Sequence, residues 1–230
     1  VKRFEEIFER ESWKLPTDRA RKDDYTRGLA IINNFYKTDY FKSGLVAVEK
    51  EITGIKLGDI KNTTVDLSAV ADCEINGKID KIEIDGDLIR VIDYKTGVLS
   101  ADKNKRKKKL NKLNGPTDDN PSGEDYWRQA VFYYILLTNS DMDLTGKTVR
   151  VQYVFVEDEK DPRGFSTTPD IEISEQDVDV VLEQVKSTLL AIQSSEYLCG
   201  CGILEGDYSK GIYPCNYCNQ AILNLSLIHI

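Results

Sequence analysis

Hydrophobic and polar residues repeat along this chain with two different periods, which predicts both helices and strands. Near the N-terminus apolar residues recur at helical spacing, for example at Leu29, Ile32 and Tyr36. We therefore predict that residues 1–44 form a helical segment.

The period then changes to the two-residue alternation that is typical of strands. The predicted strands are 45–52, 65–84, 87–95, 149–156 and 171–173. Asp85-Gly86, between the second and third strands, is a strong hairpin signal. A two-residue turn there pairs Asp80 with Val91.

Two further helices are predicted downstream. Ser122 with Asp125 has the pattern of a helix cap and begins a helix that runs to about Thr138. Ser174 with Asp177 begins a final amphipathic helix. A helix between two strands allows a crossover that pairs them in parallel, so the predicted fold class is mixed α/β.

Composition narrows the class of protein further. The chain has 230 residues with 31 Lys+Arg against 39 Asp+Glu, a formal charge of −8. Forty per cent of it is hydrophobic, which excludes a disordered or collagen-like chain. Its longest clear apolar run, 130–137, is too short for a membrane helix. Without a signal-peptide pattern either, we expect a cytoplasmic protein with no membrane partner.

The predicted hairpin contains the residues with the clearest chemistry. In the predicted register Asp80, Asp93 and Lys95 point to one face, and the two carboxylates are diagonal neighbours about 7–8 Å apart at the backbone. Two carboxylates on rigid strands suit Mg²⁺, and the lysine would lie beside its water. The alternative is a solvated polar face. The apolar residues around these positions favour the site, because they predict buried strands and a buried carboxylate needs a partner.

Three segments resemble a known family. The sequences GKIDKIE at 77–83 and VIDYKTG at 91–97 resemble motifs II and III of the RecB-type PD-(D/E)xK nucleases. YWRQAVFY at 126–133 resembles the Gln-x-x-x-Tyr motif of that family. The three motifs also follow one another in the same order as in that family. The closest resemblance is to the nuclease domain at the C-terminus of UvrD/Rep-type (AddA-like) helicases.

The resemblance implies a restriction-endonuclease-like core, a central mixed sheet flanked by helices, over residues 45–195. It implies that Asp80, Asp93 and the Tyr94 carbonyl bind Mg²⁺ or Mn²⁺, and that Glu49, on the preceding strand, is a further metal candidate. The implied catalytic residues are Asp80, Asp93, Lys95, Gln129 and Tyr133. Of these, Lys95 would position the attacking water, and the last two would orient the DNA strand or Lys95.

The implied function is that of a metal-dependent deoxyribonuclease, an exonuclease rather than an endonuclease, acting on single-stranded DNA ends in repair or recombination. Its expected partners are DNA and an upstream helicase domain of the same polypeptide. Two alternatives stay open: an inactive DNA-binding or scaffolding module of a helicase, and a stand-alone restriction-like endonuclease. The family's N-terminal metal-binding histidine has no counterpart, because the one histidine is His229.

A basic insert at 100–123 interrupts the predicted core. By itself it is typical of a solvated, mobile connector, but beside a nuclease site it predicts contacts to the DNA backbone. The predicted DNA-binding residues are Lys105, Arg106, Lys107, Lys108, Lys109 and Arg128.

Residues 196–230 form a separate C-terminal segment that contains cysteines. Cys199, Cys201, Cys215 and Cys218 have spacings that suit Zn²⁺ or a 4Fe–4S cluster such as family members often carry. A site that has lost its metal is the alternative.

Overall fold

A computed structural model describes residues 1–38 and 44–194. Five helices and five strands are present in these ranges. The helices are α1 (Lys2–Glu11), α2 (Asp18–Tyr36), α3 (Lys103–Leu110), α4 (Asp125–Thr138) and α5 (Glu175–Gln193). The strands are β1 (Leu45–Lys56), β2 (Glu74–Asp85), β3 (Leu88–Lys95), β4 (Thr148–Phe155) and β5 (Ser166–Thr167). No helix of the described part is both long and apolar enough to cross a membrane.

The strands form one mixed sheet in the order β1-β2-β3-β4-β5. The first three strands pair antiparallel, β3 and β4 pair parallel, and β5 returns antiparallel to β4. The chain crosses from β3 to β4 through α3 and α4, as the predicted crossover requires. The mixed α/β prediction is therefore confirmed.

Helices cover the sheet through two separate apolar clusters. In the larger cluster α4 contributes Trp127 and Val131, which pack with Val91 of β3 and with residues of α5. In the smaller cluster Phe35 of α2 stacks on Phe165 with their ring centroids 4.2 Å apart. The sheet is thus buried between α4 and α5 on one side and α2 on the other.

Gly77 of β2 allows α4 to lie close to the sheet. A Cβ atom at this position would lie 2.3 Å from Cδ1 of Leu136, a fully buried side chain of α4. Because a buried leucine has little room to move, a larger residue at 77 would push the helix away. The glycine in the 77–83 segment therefore sets the distance between α4 and the strands of the hairpin.

The hairpin between β2 and β3 turns one residue later than predicted. The turn residues are Gly86-Asp87, and Gly86 has φ +59°, which a glycine adopts readily. Continuing the observed register places Asp80 directly opposite Asp93, so the predicted pairing with Val91 is wrong. The shift is by two positions in register, so side chains keep the face that alternation predicts.

The reason for the observed register is the match of apolar residues across the hairpin. Ile82 lies opposite Val91, and Ile84 lies opposite Ile89. The predicted register instead places Ile84 opposite a charged residue. Apolar cross-strand pairs stabilise the observed alignment.

Two further predictions of secondary structure are wrong in part. The strand predicted over 65–84 begins only at Glu74, because Asp66 accepts a hydrogen bond from the Ser68 backbone and starts a short 3-10 turn. The strand predicted at 171–173 is reduced to a single bridge at Ile171, because the chain turns into α5 at its N-cap, Ser174. In α2, Tyr36, one of the apolar residues at helical spacing, is exposed, and its neighbour Phe35 is buried.

The two predicted helix caps have opposite outcomes. Ser174 and Asp177 form the predicted capping box of α5. Ser122 does not cap α4, because the helix begins after Glu124, whose side chain makes no capping hydrogen bond. The helix predicted there is nevertheless confirmed.

Candidate active site

Asp80 and Asp93 lie side by side on β2 and β3. The Asp93 side chain is buried, whereas Asp80 is half-buried and accepts a hydrogen bond of 2.9 Å from the backbone N–H of Tyr94. Burial raises the pKa of Asp80, and the neighbouring carboxylates of Asp93 and Glu49 raise it further. Two carboxylates held together in this way favour the binding of a cation between them.

The Asp93 carboxylate is one of four side chains that form a closed ring of polar contacts. Its Oδ1 accepts a hydrogen bond of 3.0 Å from the Tyr133 hydroxyl, which in turn accepts one of 2.9 Å from Nε2 of Gln129. The Lys95 ammonium donates to Oε1 of Gln129 and lies 2.7 Å from Oδ2 of Asp93, which closes the ring. The Gln129 amide, the Tyr133 phenol and the Lys95 ammonium therefore hold one another in position around the carboxylate.

Tyr133 remains a hydrogen-bond donor in this ring. Burial, and then the charge of Asp93, raise the pKa of the Tyr133 hydroxyl well above its usual value. Because the phenol keeps its proton, it can hold Asp93 without adding a second negative charge.

Oδ2 of Asp93 has an unusual environment. Despite the short contact to Lys95, no donor in the described residues makes an aligned hydrogen bond to this buried oxygen. The ion pair is therefore electrostatic rather than directional. It leaves a lone pair of the carboxylate for a further ligand.

The donor set suits a hard divalent cation. No group of three or more His, Cys, Asp or Glu side chains within residues 1–38 and 44–194 could hold a metal ion. Two carboxylates, one of them with an oxygen lacking an aligned hydrogen bond, suit Mg²⁺, which commonly binds through one or two carboxylates and keeps water and phosphate ligands.

A sequence model of the PD-(D/E)XK nuclease superfamily matches residues 2–222. This chain belongs to that superfamily. Membership indicates a metal-dependent nuclease that binds DNA, and PD-(D/E)XK nucleases generally use Mg²⁺ or Mn²⁺. No curated protein matches the chain in a sequence search.

The structure brings the five predicted catalytic residues of this PD-(D/E)XK domain together. They come from three elements: Asp80 from β2, Asp93 and Lys95 from β3, and Gln129 and Tyr133 from α4. The role of the Tyr94 main-chain carbonyl as a metal ligand stays a prediction.

Glu49, the further metal candidate, lies on β1 near the site of the nuclease domain. Its backbone has φ +52°, a strained value for a residue with a side chain. Its carboxylate pairs with Lys78 and is largely exposed, although its negative charge contributes to the raised pKa of Asp80. In this structure Glu49 is therefore a neighbour of the two carboxylates rather than part of the hydrogen-bonded ring.

Two aromatic residues of the site were not predicted from the sequence. The rings of Tyr126 and Tyr153 lie against the Lys95 ammonium. Tyr126 is within the 126–133 segment, but Tyr153 is on β4, and only the parallel pairing of β3 with β4 brings it to the site.

The basic insert of the nuclease domain contains a helix, α3, so the expectation of a mobile connector is wrong there. Asp102 caps this helix by accepting hydrogen bonds from the backbone N–H groups of Asn104 and Lys105. Arg106 then pairs with the buried carboxylate of Asp158 through two hydrogen bonds of 2.7 and 2.8 Å. The capped end and the ion pair together fix the helix on the domain.

Half of the predicted DNA-binding residues have intramolecular partners. Besides Arg106, Lys109 donates to the Val98 carbonyl, and Arg128 pairs with Asp125. The others are exposed: Lys105, Lys107 and Lys108. The four C-terminal cysteines, Cys199, Cys201, Cys215 and Cys218, lie outside the described residues, so the metal predicted there stays a prediction.

Asp158→Asn should lower the free energy of unfolding in a pH-dependent way. The Arg106 guanidinium lowers the pKa of Asp158 strongly, so the pair stabilises the fold above the unfolded pKa of about 3.9, and this stabilisation is lost as pH falls below it. We expect a loss of about 3 kcal/mol at pH 7, the lower end of the range for a broken buried pair. The loss should be smaller at pH 3.

Urea unfolding at the two pH values measures this difference. Asp141→Asn, at an exposed position, is the matched control and should change stability by less than about 0.5 kcal/mol at either pH. An equal loss at pH 7 and pH 3 for Asp158→Asn would contradict the assigned ion pair.

Proposed function

We propose that this domain hydrolyses phosphodiester bonds of DNA with Mg²⁺ or Mn²⁺ at Asp80 and Asp93. The observation that supports this proposal most is the buried Asp93 carboxylate, which has Tyr133 on one oxygen, Lys95 on the other and Asp80 opposite. A purely structural role would not require two carboxylates to lie together, with the pKa of Asp80 raised by burial and by its acidic neighbours.

Each residue of the candidate active site has a defined task in the proposed reaction. Asp80 and Asp93, with the Tyr94 carbonyl and Glu49 as additional candidates, hold the cation, which supplies Lewis acidity beside the scissile phosphate when bound. The Lys95 ammonium orients the attacking water and stabilises the negative charge that develops on the phosphate. Gln129 keeps Lys95 in place and Tyr133 keeps Asp93 in place.

The DNA backbone is proposed to approach along α3. Lys105, Lys107 and Lys108 are exposed on this helix, and Lys109 on its inner side is close enough to Lys95 for the two charges to interact. Exposed cations beside the site offset the overall negative charge where phosphate would bind. Arg106 contributes by holding the helix rather than by contacting DNA.

The wider role follows from the resemblance of the three motifs. We infer a RecB-type nuclease domain joined to a UvrD/Rep-type helicase, which acts as an exonuclease on single-stranded ends in DNA repair or recombination. The competing function is a DNA-binding module without catalysis, which the lack of a histidine before His229 favours. The two functions differ in whether the purified domain cleaves DNA.

Substitution of the ring residues should abolish cleavage. With labelled single-stranded DNA and Mg²⁺ or Mn²⁺, Asp93→Asn and Lys95→Ala should each lower the rate by at least about a hundredfold, because charge at the reacting phosphate is no longer stabilised. EDTA should abolish wild-type cleavage. Rates are measured from the appearance of labelled products on denaturing gels.

Asp141→Asn and Lys56→Ala are the matched controls, because both residues are exposed. Both should keep the wild-type rate. A wild-type protein that binds DNA in fluorescence anisotropy but cleaves none with either metal would establish the non-catalytic module. Equal cleavage by wild type, Asp93→Asn and Lys95→Ala would remove these residues from the mechanism.

Removal of the exposed lysines of α3 should weaken DNA binding in a salt-dependent way. If Lys105, Lys107 and Lys108 each contact a phosphate, the triple alanine variant should reduce the slope of log K against log salt by about 2 for a single strand. Fluorescence anisotropy over a salt series measures the slope.

A second triple variant controls for net charge. Lys22, Lys56 and Lys61 are exposed elsewhere, and their replacement by alanine removes the same charge. This variant should keep the wild-type slope. Equal slopes for all three proteins would exclude α3 as the DNA contact.

A further inference from the structure

The Lys95 ammonium lies between two kinds of surface. On one side it contacts the Asp93 carboxylate and the Gln129 amide. It also lies 4.5 Å from the ring centroid of Tyr126 and 4.8 Å from that of Tyr153. Only 14% of the Lys95 side chain is exposed, so most of its surface is covered by protein.

We propose that Tyr126 and Tyr153 are positioning residues that hold the Lys95 ammonium in its place for the reaction. The inference rests on the proposed function, since it assigns these rings a role through Lys95. A lysine side chain has four rotatable bonds and loses much conformational freedom when it is fixed. The ion pair with Asp93 and the hydrogen bond to Gln129 restrain only the side of the ammonium that faces them.

The two rings are suited to restrain the remaining side. A cation over an aromatic face is attracted most strongly where water is excluded, as it largely is around Lys95. Neither ring carries a full negative charge. Among the described residues, Asp93 is the only carboxylate within salt-bridge distance of Lys95. The rings therefore hold the ammonium without competing with Asp93.

The rings are themselves fixed as a pair. Their centroids are 5.4 Å apart, and the Tyr153 hydroxyl donates a hydrogen bond to the main-chain carbonyl of Tyr126. Tyr153 is fully buried on β4, and Tyr126 is in the first turn of α4. This bond ties the start of α4 to the strand that runs parallel to the Lys95 strand.

A packing role alone makes a different prediction from a positioning role. If Tyr126 only fills space, an apolar side chain of similar size should replace it without effect on Lys95. If its aromatic face matters, phenylalanine should replace it and leucine or methionine should not.

The experiment compares Tyr126→Phe with Tyr126→Leu and Tyr126→Met, and thermal unfolding confirms that each variant is folded. Two properties are measured: the rate at which an acetylating reagent modifies the Lys95 amine, read by peptide mass spectrometry, and kcat and KM for single-stranded DNA. Modification of exposed Lys56 in the same sample is the internal reference.

We expect Tyr126→Phe to match the wild type in both properties. Tyr126→Leu and Tyr126→Met should increase the modification of Lys95 several-fold relative to Lys56 and lower kcat by about tenfold, with KM within about twofold. Tyr153→Phe keeps the ring that faces Lys95 and loses only the hydroxyl bond to the Tyr126 carbonyl, so its kcat should fall by no more than about threefold.

Two results would overturn the proposal: unchanged Lys95 modification and kcat in both Tyr126→Leu and Tyr126→Met, or a defect in Tyr126→Phe as large as theirs. The modification assay needs no cleavage. A wild-type protein without nuclease activity would therefore reject the proposed function, while the modification of Lys95 would still decide whether the rings position it.

Discussion

The burial of the Asp93 carboxylate is the constraint on which the arrangement of this domain depends. Only 4% of the residue is exposed, and a buried charge is costly unless other groups of the protein stabilise it. The compensating groups come from two elements: Lys95 from its own strand, and Tyr133, fixed by Gln129, from α4. Strand β3 and helix α4 must therefore keep their relative position for the Asp93 carboxylate to keep these partners.

The rest of the fold maintains that position. Gly77 lets α4 approach the sheet, and the parallel pairing of β3 with β4 brings Tyr153 beneath Lys95. The ion pair between Arg106 and Asp158 fixes a helix of exposed lysines on the same domain. The formal charge of −8 thus describes the average surface, whereas the proposed DNA path is locally basic.

The sequence predicts the local features of this domain better than its long-range ones. Alternation and motif order identify the hairpin carboxylates, Lys95 and the Gln-x-x-x-Tyr helix, because these depend on neighbouring residues. The exact register depends on apolar pairs across the hairpin, which a turn signal alone does not fix. The helix in the basic insert is held by the ion pair between Arg106 and Asp158, which are 52 residues apart in the sequence. Tyr153 lies beside Lys95 only because β3 and β4 pair in parallel.

Diffraction from Mn²⁺-soaked crystals of the wild type and of Asp93→Asn can show whether Asp80 and Asp93 hold the metal, because anomalous scattering locates it without an assay of activity. We expect an anomalous peak in the wild type within coordination distance of carboxylate oxygens of both Asp80 and Asp93, about 2.0–2.6 Å for a hard divalent cation. The peak should be absent in Asp93→Asn. A wild-type peak elsewhere, or an unchanged peak in the variant, would contradict the account.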